Sequence, residues 1–335
     1  MTPTTVEEAR ASIGAFQKDV AAAKEQIGRV IVGQAATVEG VLVCLFCGGN
    51  ALLEGVPGLG KTLLIRTLSR ALSLEFRRIQ FTPDLMPADI TGTTVVREVN
   101  GSRQFVFEPG PVFTQLLLAD EINRATPKTQ SALLEAMQER SVTAGGQTRR
   151  LPEPFFVMAT QNPIEQEGTY PLPEAQLDRF FYKLNVGYAG REDLNEVLRR
   201  TTTGHHAEVT PVLDGERILS HQALVRRAVI ADHVQDYAVR LVLATHPRAD
   251  NAFATPQVKK FVRVGASPRA AQALVLAAKC RALMDGRAAA SIDDVKAAAL
   301  PALRHRIIVN FEGEAEGVTT DAVVENLIGT LPVQG

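Results

Sequence analysis

The sequence has few of the features that mark secreted, membrane-spanning or nucleic-acid-binding chains. Three cysteines among 335 residues are too few for a disulfide framework. No stretch approaches the roughly 18 apolar residues of a membrane span, and residues 1–10 contain two glutamates and no apolar core. Basic pairs are scattered and the net charge is −1, so no basic face is indicated. We therefore expect a cytoplasmic globular protein, and nucleic acid is not an expected partner.

Metal-site and guanine-recognition patterns are also missing. Cys44 and Cys47 form a C-x-x-C pair, but they lie in the apolar run 41–47, and no second pair completes a zinc site. The six histidines have no ligand spacing with these cysteines. Buried thiols that act as small apolar side chains are the expected outcome. An Asn-Lys-x-Asp run does not occur, which argues against a guanine nucleotide.

A phosphate-binding loop is present instead. Gly55-Val56-Pro57-Gly58-Leu59-Gly60-Lys61-Thr62 follows the apolar residues 51–53 and precedes a helical pattern. A strand that feeds a glycine-rich turn leaves successive N–H groups facing a pyrophosphate, and the next helix points its positive end at the same place. Lys61 can reach the β- and γ-phosphates, and the Thr62 hydroxyl can ligate Mg²⁺. A plain turn would need neither side chain.

The arrangement of apolar segments predicts a large α/β domain followed by a smaller helical one. Short apolar runs after the loop predict four more strands, in a parallel sheet covered by helices on both faces. Alanine-rich helical patterns take over after about residue 190, and one helix begins at Ser267-Pro268. We expect two cores. The predicted segments are an N-terminal helix (1–30), the α/β domain (31–190) with strands near 51–53, 77–81, 115–119, 155–159 and 181–186, and an all-α domain (191–335).

Two insertions interrupt the alternation of strands and helices, at about 86–108 and 141–151. In the first, strand-like residues 93–99 and 102–107 flank Asn100-Gly101, the dipeptide of a type I′ turn. In the second, residues 141–143 and 147–151 flank Gly145-Gly146. Both insertions are predicted to be β-hairpins.

Polar residues end two of the predicted strands. Asp120 and Glu121 follow an apolar run, although carboxylates are depleted in strands and costly to desolvate. In a nucleotide site, Asp120 would hold Mg²⁺ and Glu121 would polarise the attacking water. Capping of the next helix is the alternative for this pair. Asn162 follows another buried strand and could orient that water or contact the γ-phosphate, with capping of the next turn as the alternative.

Six segments, taken together and in order, resemble the MoxR-type AAA+ ATPases. These segments are Val32-Gly33-Gln34, the phosphate loop, Asp120-Glu121-Ile122-Asn123-Arg124, Asn162-Pro163, Glu174-Ala175-Gln176-Leu177-Asp178-Arg179-Phe180 and Gly265-Ala266-Ser267-Pro268-Arg269-Ala270. The resemblance runs from about residue 30 to 310. It implies a five-stranded sheet of order 5-1-4-3-2, a helical lid, and a ring, usually a hexamer, with nucleotide at each subunit interface.

The resemblance also implies residue roles. Asn162 would be sensor 1, Arg269 sensor 2 from the lid, and Arg179 an arginine finger that reaches the neighbour's γ-phosphate. A salt bridge with Asp178 or Glu174 is the alternative for Arg179. Arg269 lies in a first helical turn, where a cation opposes the dipole, and this favours a ligand role. Arg124 is a second finger candidate. The predicted nucleotide contacts are Val32, Gly33, Gln34, Gly55, Pro57, Gly58, Leu59, Gly60, Lys61, Thr62, Leu63 and Asp120, with Thr62 and Asp120 as metal ligands.

The expected activity is ATP hydrolysis with Mg²⁺. The use of that energy is implied only by the resemblance, as chaperone-like remodelling of a partner protein, commonly one with a von Willebrand factor A domain. Three alternatives stay open: a nucleic-acid motor, the ATPase subunit of a metal chelatase, and a nucleotide-gated scaffold that does not hydrolyse ATP. DNA stimulation that weakens with salt would favour the motor, and an unchanged rate of phosphate release in Glu121→Gln would favour the scaffold.

Overall fold

The computed structural model describes residues 5–56, 58–99, 102–163, 168–202 and 207–333. Its first half alternates strands and helices, with the two hairpins where they were predicted. The turn residues Asn100-Gly101 lie outside the described residues. In chain order the elements are α1 (Val6–Gly28), α2 (Ala35–Cys47), β1 (Ala51–Glu54), α3 (Lys61–Ala71), β2 (Phe76–Gln80), α4 (Pro87–Thr91), β3 (Gly92–Val99), β4 (Ser102–Pro109), β5 (Leu116–Asp120), a 3₁₀ turn (Ile122–Arg124), α5 (Pro127–Glu139), β6 (Ser141–Ala144), β7 (Gln147–Arg150), β8 (Phe156–Gln161), α6 (Glu174–Leu177) and β9 (Tyr182–Asn185).

Five of these strands form one parallel sheet in the order β2-β5-β8-β1-β9. When only these five strands are numbered 1 to 5 in chain order, the sheet reads 5-1-4-3-2 from β9 to β2, which is the predicted order. Successive residues of a strand point to opposite faces. In β5, Leu116 and Leu118 join one buried cluster, whereas Leu117 and Ala119 join the other. The sheet is therefore covered on both faces, as predicted.

The second half is predominantly helical, with two short ladders that the sequence analysis did not indicate. β10 pairs with β12 in parallel, and β11 pairs with β13 antiparallel. The elements are α7 (Arg191–Thr202), α8 (Gly215–Arg227), β10 (Val229–Ile230), α9 (Asp232–Ala244), α10 (Pro256–Phe261), β11 (Val262–Val264), α11 (Pro268–Met284), β12 (Ala289–Ala290), α12 (Ile292–Leu303), β13 (Ile308–Val309), α13 (Phe311–Ala315) and α14 (Thr320–Thr330).

Two hydrophobic cores are present, but they divide along the sheet and not near residue 190. The larger core contains one sheet face, α1 to α3 and most of the helical half, while the smaller contains the other face and α5. α1 packs against α2, α3 and α11 through one apolar stripe. The buried apolar residues of this stripe are Ile13, Phe16, Val20, Ala23 and Ile27. The N-terminal helix thus joins the sheet part to the helical half.

Cys44 and Cys47 are buried within this larger core, as interpreted from the sequence, and Cys280 is buried there as well. Burial raises the pKa of the Cys44 and Cys47 thiols well above the usual range, so both remain protonated. Among the described residues, no helix is both long enough and apolar enough to span a bilayer.

Candidate active site

The phosphate loop connects β1 to α3 at the carboxyl edge of the sheet. Gly58 and Gly60 have φ of +86° and +77°, a backbone region that favours glycine. Gly55 is required for a different reason, because a Cβ there would lie 2.6 Å from the Val186 carbonyl oxygen. Pro57 lies outside the described residues.

Lys61 and Thr62 form the first turn of α3, as the loop pattern predicts. The Lys61 ammonium donates to the Gly55 carbonyl oxygen, which keeps it folded over the loop. Burial lowers the pKa of Lys61, although the Asp120, Glu121 and Glu54 carboxylates oppose this shift. The lysine therefore lies in the field of both acids that end β5.

The Asp120 carboxylate is held by the two strands next to β5. The buried Thr160 hydroxyl of β8 donates to Oδ1 at 2.6 Å. Arg78 of β2 donates to Oδ2, at 2.7 Å from Nη2 and 3.2 Å from Nε. Since α5 starts at Pro127 with Thr126 as its N-cap, the helix-capping alternative for Asp120 is wrong.

Glu121 has a strained backbone, with φ +56° and ψ +50°. This left-handed conformation costs a non-glycine residue roughly 1–2 kcal/mol. Its N–H donates to the Thr160 hydroxyl at 2.8 Å, so one threonine fixes both acids. The side chain makes no capping bond to the 3₁₀ turn, and its Oε2 instead accepts from Gln80 at 2.7 Å. Glu121 is therefore the N-cap residue of the 3₁₀ turn by position, but its carboxylate does not cap that turn.

Arg78 and Gln80 connect the two acids through β2. The Arg78 Nη2 donates to the Gln80 Oε1 at 2.7 Å as well as to Asp120. The Asp120 and Glu121 carboxylates are thus both bonded to side chains that a bound cation or water would have to displace. Arg124 also contacts Glu121, at 3.3 Å, which places it at the carboxyl edge with the chain's own phosphate loop.

Asn162 is buried directly after β8, the strand between β5 and β1. It therefore lies between the strand that carries the acids and the strand that carries the phosphate loop. The turn residues 164–167 are outside the described residues, so its role as sensor 1 or as a cap stays a prediction.

A cavity of about 350 Å³ adjoins the phosphate loop. This volume is within the range of small-molecule sites. Its walls are mainly apolar, and they include α7, which the sequence analysis assigned to the helical domain. The lining includes Val32, Gln34, Gly58, Leu59, Gly60, Leu63, Tyr188, Leu194 and Val197.

Gln34 carries an unsatisfied polar atom beside this cavity. Its Nε2 donates to the Leu59 carbonyl oxygen at 2.8 Å, whereas its buried Oε1 has no partner among the described residues. Since a carbonyl oxygen can only accept, the amide orientation is fixed with Oε1 as a free acceptor. Gly33 has φ +71°, and a Cβ there would lie 2.3 Å from the Asp193 carboxylate of α7. The 32–34 segment therefore fits closely between the loop and α7.

Arg179 and Arg269 lie at the opposite, amino edge of the sheet. Arg179 precedes β9, and the Phe181 N–H donates to the Asn50 carbonyl oxygen, before β1, at 2.8 Å. The Arg269 Nη1 contacts the Asp178 carboxylate at 3.3 Å. The sequence motifs thus separate into two groups on opposite edges.

The salt-bridge alternative for Arg179 is wrong. Asp178 pairs with Arg269 and Arg306, and Glu174 pairs with Arg263. The buried Nε of Arg179 has no hydrogen-bond partner among the described residues. The Arg179 Nε therefore has no ligand within the part of the chain that the structure describes.

Comparisons with known proteins agree with this architecture. The model of the ATPase family associated with various cellular activities (AAA) matches residues 50–182, and the AAA lid domain model matches residues 254–327. Chaperone MoxR1 of Mycobacterium tuberculosis is 46% identical over 91% of this chain and 80% of its own length. Protein MoxR of Paracoccus denitrificans is 32% identical over 93% and 95%. The chain belongs to the MoxR family of AAA ATPases.

A crystal structure supports the same assignment. That of a candidate ATPase from Cytophaga hutchinsonii has a TM-score of 0.90 and 39% identity, and the match covers 98% of both chains. The MoxR-type sheet and the lid are therefore as predicted, and the protein is an ATPase.

Several side chains of this MoxR-type site were missed by sequence reasoning. Arg78 and Gln80 contact the acids because β2 lies beside β5, which the sheet order implied by the resemblance could have indicated. Thr160 was assigned to a strand without a role. Tyr188 and the α7 residues had no signal, because their position over the loop is a tertiary contact.

Proposed function

We propose that this MoxR-type ATPase hydrolyses Mg²⁺-ATP at sites shared by two copies of the chain in a ring. The observation that carries the proposal is the separation of the motifs onto opposite sheet edges. β1 and β9 are parallel and in register, with Ala51 opposite Tyr182 and Glu54 opposite Asn185. Arg179 precedes the start of these strands, whereas the phosphate loop follows their end. Each strand spans about 10 Å.

This topology argues that Arg179 serves a neighbouring subunit's nucleotide. The length of the strands separates a residue at the amino edge from the phosphate loop of its own chain. Arg269 contacts Asp178, so it belongs to the same edge and the same neighbour. We therefore propose that Arg269, like Arg179, acts in trans on the neighbour's nucleotide and not in cis on its own.

The carboxyl edge supplies the other half of the site. Lys61 binds the phosphates, Thr62 and Asp120 hold Mg²⁺, and Glu121 accepts a proton from the attacking water. Oxygen donors of this type are what Mg²⁺ prefers, and the bound ion neutralises phosphate charge. Asn162 orients the water, while Arg179 and Arg269 neutralise charge that develops in the transition state.

Adenine is the base that fits the cavity beside the loop. The free Oε1 of Gln34 is an acceptor, and the exocyclic amino group of adenine is a donor. Guanine carries an oxygen at that position. The apolar walls then cover the base, as expected for a small ligand site. This supports ATP as the nucleotide and Val32, Gly33 and Gln34 as its base contacts.

A protein client is the proposed target of the energy. The cross-strand pair Val96 and Phe105 on the first hairpin is 56% and 83% exposed. The second hairpin supports the first through Arg149, whose guanidinium lies 4.0 Å from the centre of the Phe107 ring. An apolar, well-supported projection suits contact with a polypeptide. A von Willebrand factor A domain client and a hexameric ring remain predictions from the resemblance.

The ATPase rate per subunit, measured across a wide range of protein concentration, tests the shared site. A rate that rises steeply with concentration, together with assembly by size measurement at the same concentrations, is the expected result. A constant rate in a preparation that is monomeric by size would overturn the proposal, because one chain would then contain a complete site.

A further inference from the structure

Three consecutive residues after α12 bind backbone carbonyl oxygens of β9 and of the segment just before it. The Arg304 Nη1 donates to the Lys183 carbonyl oxygen at 3.4 Å, and the His305 Nε2 lies 3.0 Å from the Phe180 carbonyl oxygen. Arg306 extends this series toward Asp178. The lid thus holds the segment that contains Arg179, although about 120 residues separate the two in sequence.

All three guanidinium nitrogens of Arg306 donate hydrogen bonds, either to this segment or to α12, the helix that precedes Arg306. Its side chain is only 3% exposed. Nε donates to the Asp178 Oδ1 at 2.8 Å, and Nη2 donates to the carbonyl oxygens of Asp178 and Phe180 at 3.2 and 2.6 Å. Nη1 donates to the carbonyl oxygens of Phe181, at 3.2 Å, and Ala302. A planar guanidinium can do this, whereas an ammonium cannot reach the same acceptors.

Asp178 links this buried arginine to the lid helix that carries Arg269. The Ser267 hydroxyl, at the N-cap of α11, contacts both carboxylate oxygens of Asp178 at 2.8 and 2.9 Å. The half-exposed Arg269 contacts Oδ2 of the same group. One carboxylate therefore joins the fixed Arg306, the start of α11 and an arginine that can reach outward.

We propose that Arg306 is a positioning residue for the neighbouring subunit's nucleotide. It clamps the backbone on both sides of Arg179 and fixes Asp178, so that Arg179 and Arg269 are presented as one unit. Arg306 is buried and does not touch the nucleotide itself. This inference rests on the proposed function, in which Arg179 acts in trans.

The pattern of contacts distinguishes this role from a buried pair that only maintains the fold. Arg306 binds the carbonyl oxygens of Asp178, Phe180 and Phe181, the neighbours of Arg179. Arg179 itself is left with a buried Nε that lacks a partner among the described residues. The clamp therefore fixes the backbone and leaves this side chain to be satisfied by another molecule.

Subunit mixing with Arg306→Lys tests the proposal. Because small misplacements of a reacting group can cost on the order of 100-fold, we expect at least a roughly tenfold lower ATPase rate. The affinity of the variant's own site for a fluorescent ATP analogue should stay close to wild type. Mixing it, as dilute subunits that are then concentrated, with inactive Lys61→Ala subunits should restore activity, because those subunits supply intact arginines. Arg240→Lys is the matched control and should retain most of its activity, because Arg240 is also buried and also binds one carboxylate, Asp236, and backbone carbonyl oxygens, but outside residues 178–183.

Asp178→Asn provides a second variant if Arg306→Lys proves unfolded by circular dichroism. It keeps the shape and the Ser267 contact but weakens the pairs with both arginines, and we expect the same loss and the same rescue. Normal turnover in the folded variants, or loss of their own nucleotide binding without rescue, would overturn the proposal. If Arg179→Ala is also not rescued by Lys61→Ala, the shared-site function has failed instead.

Discussion

The two edges of the sheet present their polar groups in different ways. At the carboxyl edge, Asp120 and Glu121 are bonded to side chains of adjacent strands, Arg78, Gln80 and Thr160. At the amino edge, Arg179 is positioned through its backbone by Arg306, a residue of the lid. Side-chain hydrogen bonds such as those of the acids can be exchanged by rotamer changes, whereas the backbone on both sides of Arg179 is held by a buried arginine. The proposed shared site therefore combines an adjustable half, the carboxyl edge, with a rigid half, the amino edge.

The largest expected effect comes from the amino edge. Arg179→Ala removes the proposed arginine finger, so turnover should fall by about 10³–10⁵ while ATP affinity in the same chain changes little. Steady-state rates and titration with a fluorescent ATP analogue measure the two quantities. Arg263→Ala, an exposed arginine paired with Glu174 on the same edge, is the control. Weakened ATP binding by the Arg179→Ala chain without a fall in turnover would contradict the assignment of Arg179 to a neighbour's site through the amino edge.

Glu121→Gln tests the adjustable half and should lower turnover by about 10²–10⁴, because general-base catalysis is lost. ATP should still bind. Mixing with Arg179→Ala should restore activity, since the lesions lie on different edges, whereas mixing with Lys61→Ala should not, since both lie on the same edge. Glu135→Gln, on the exposed face of α5, is the control. Rescue by Lys61→Ala subunits would contradict the assignment of Glu121 to the same edge as Lys61.

Gln34→Leu should change base selection more than turnover. Loss of the acceptor beside the cavity is expected to weaken ATP binding by about tenfold, which is the value of one hydrogen bond, with little effect on GTP. Competition binding with both nucleotides measures the ratio. Gln222→Leu is the control, because Gln222 also donates to a backbone carbonyl, that of Leu45. An unchanged ATP to GTP preference would exclude Gln34 from base recognition.

Asp294→Asn should affect the lid's stability without affecting either edge. Asp294 accepts from Arg287 and from the Ser291 N–H, and this capping box is worth about 1–2 kcal/mol of unfolding free energy. Burial opposes ionisation, but these hydrogen bonds lower the pKa of Asp294 overall. The contribution is therefore present above the unfolded pKa of about 3.9 and is lost as pH falls through the lower folded pKa.

Denaturant unfolding of wild type and Asp294→Asn at about pH 7 and about pH 3 measures this difference. The gap between the two proteins should shrink at the lower pH. A difference that stays constant with pH would contradict the role of the ionised Asp294 carboxylate, and a lower ATPase rate at neutral pH would show that this cap affects the site.

The local patterns of the sequence were informative wherever a neighbour in the chain supplies the physical cause. Leu64, Leu68, Ala71 and Leu72 recur at the spacing of one helix face, and all four are fully buried. Ser291 and Asp294 have the three-residue spacing of a capping box and form one. The boundary between the cores was not predictable in this way, because it depends on α1 packing against α2, α3 and α11, of which α11 lies far away in the chain. Likewise, nothing local to Arg306 indicates that its donors bind residues 178–181.

By itself the sequence determined the phosphate loop, the acids at the end of β5, the two hairpins and, through the resemblance, the order of the sheet. These follow from φ preferences, apolar periodicity and charge placed after a buried strand, all of which act over a few residues. Only the tertiary structure decided that Arg179 and Arg269 lie on the edge opposite the loop, that Asp178 pairs with Arg306 and Arg269 and not with Arg179, and that α7 lines the cavity beside the phosphate loop. Those facts depend on parallel strand pairing and on burial of groups far apart in the chain, where a guanidinium must find its acceptors.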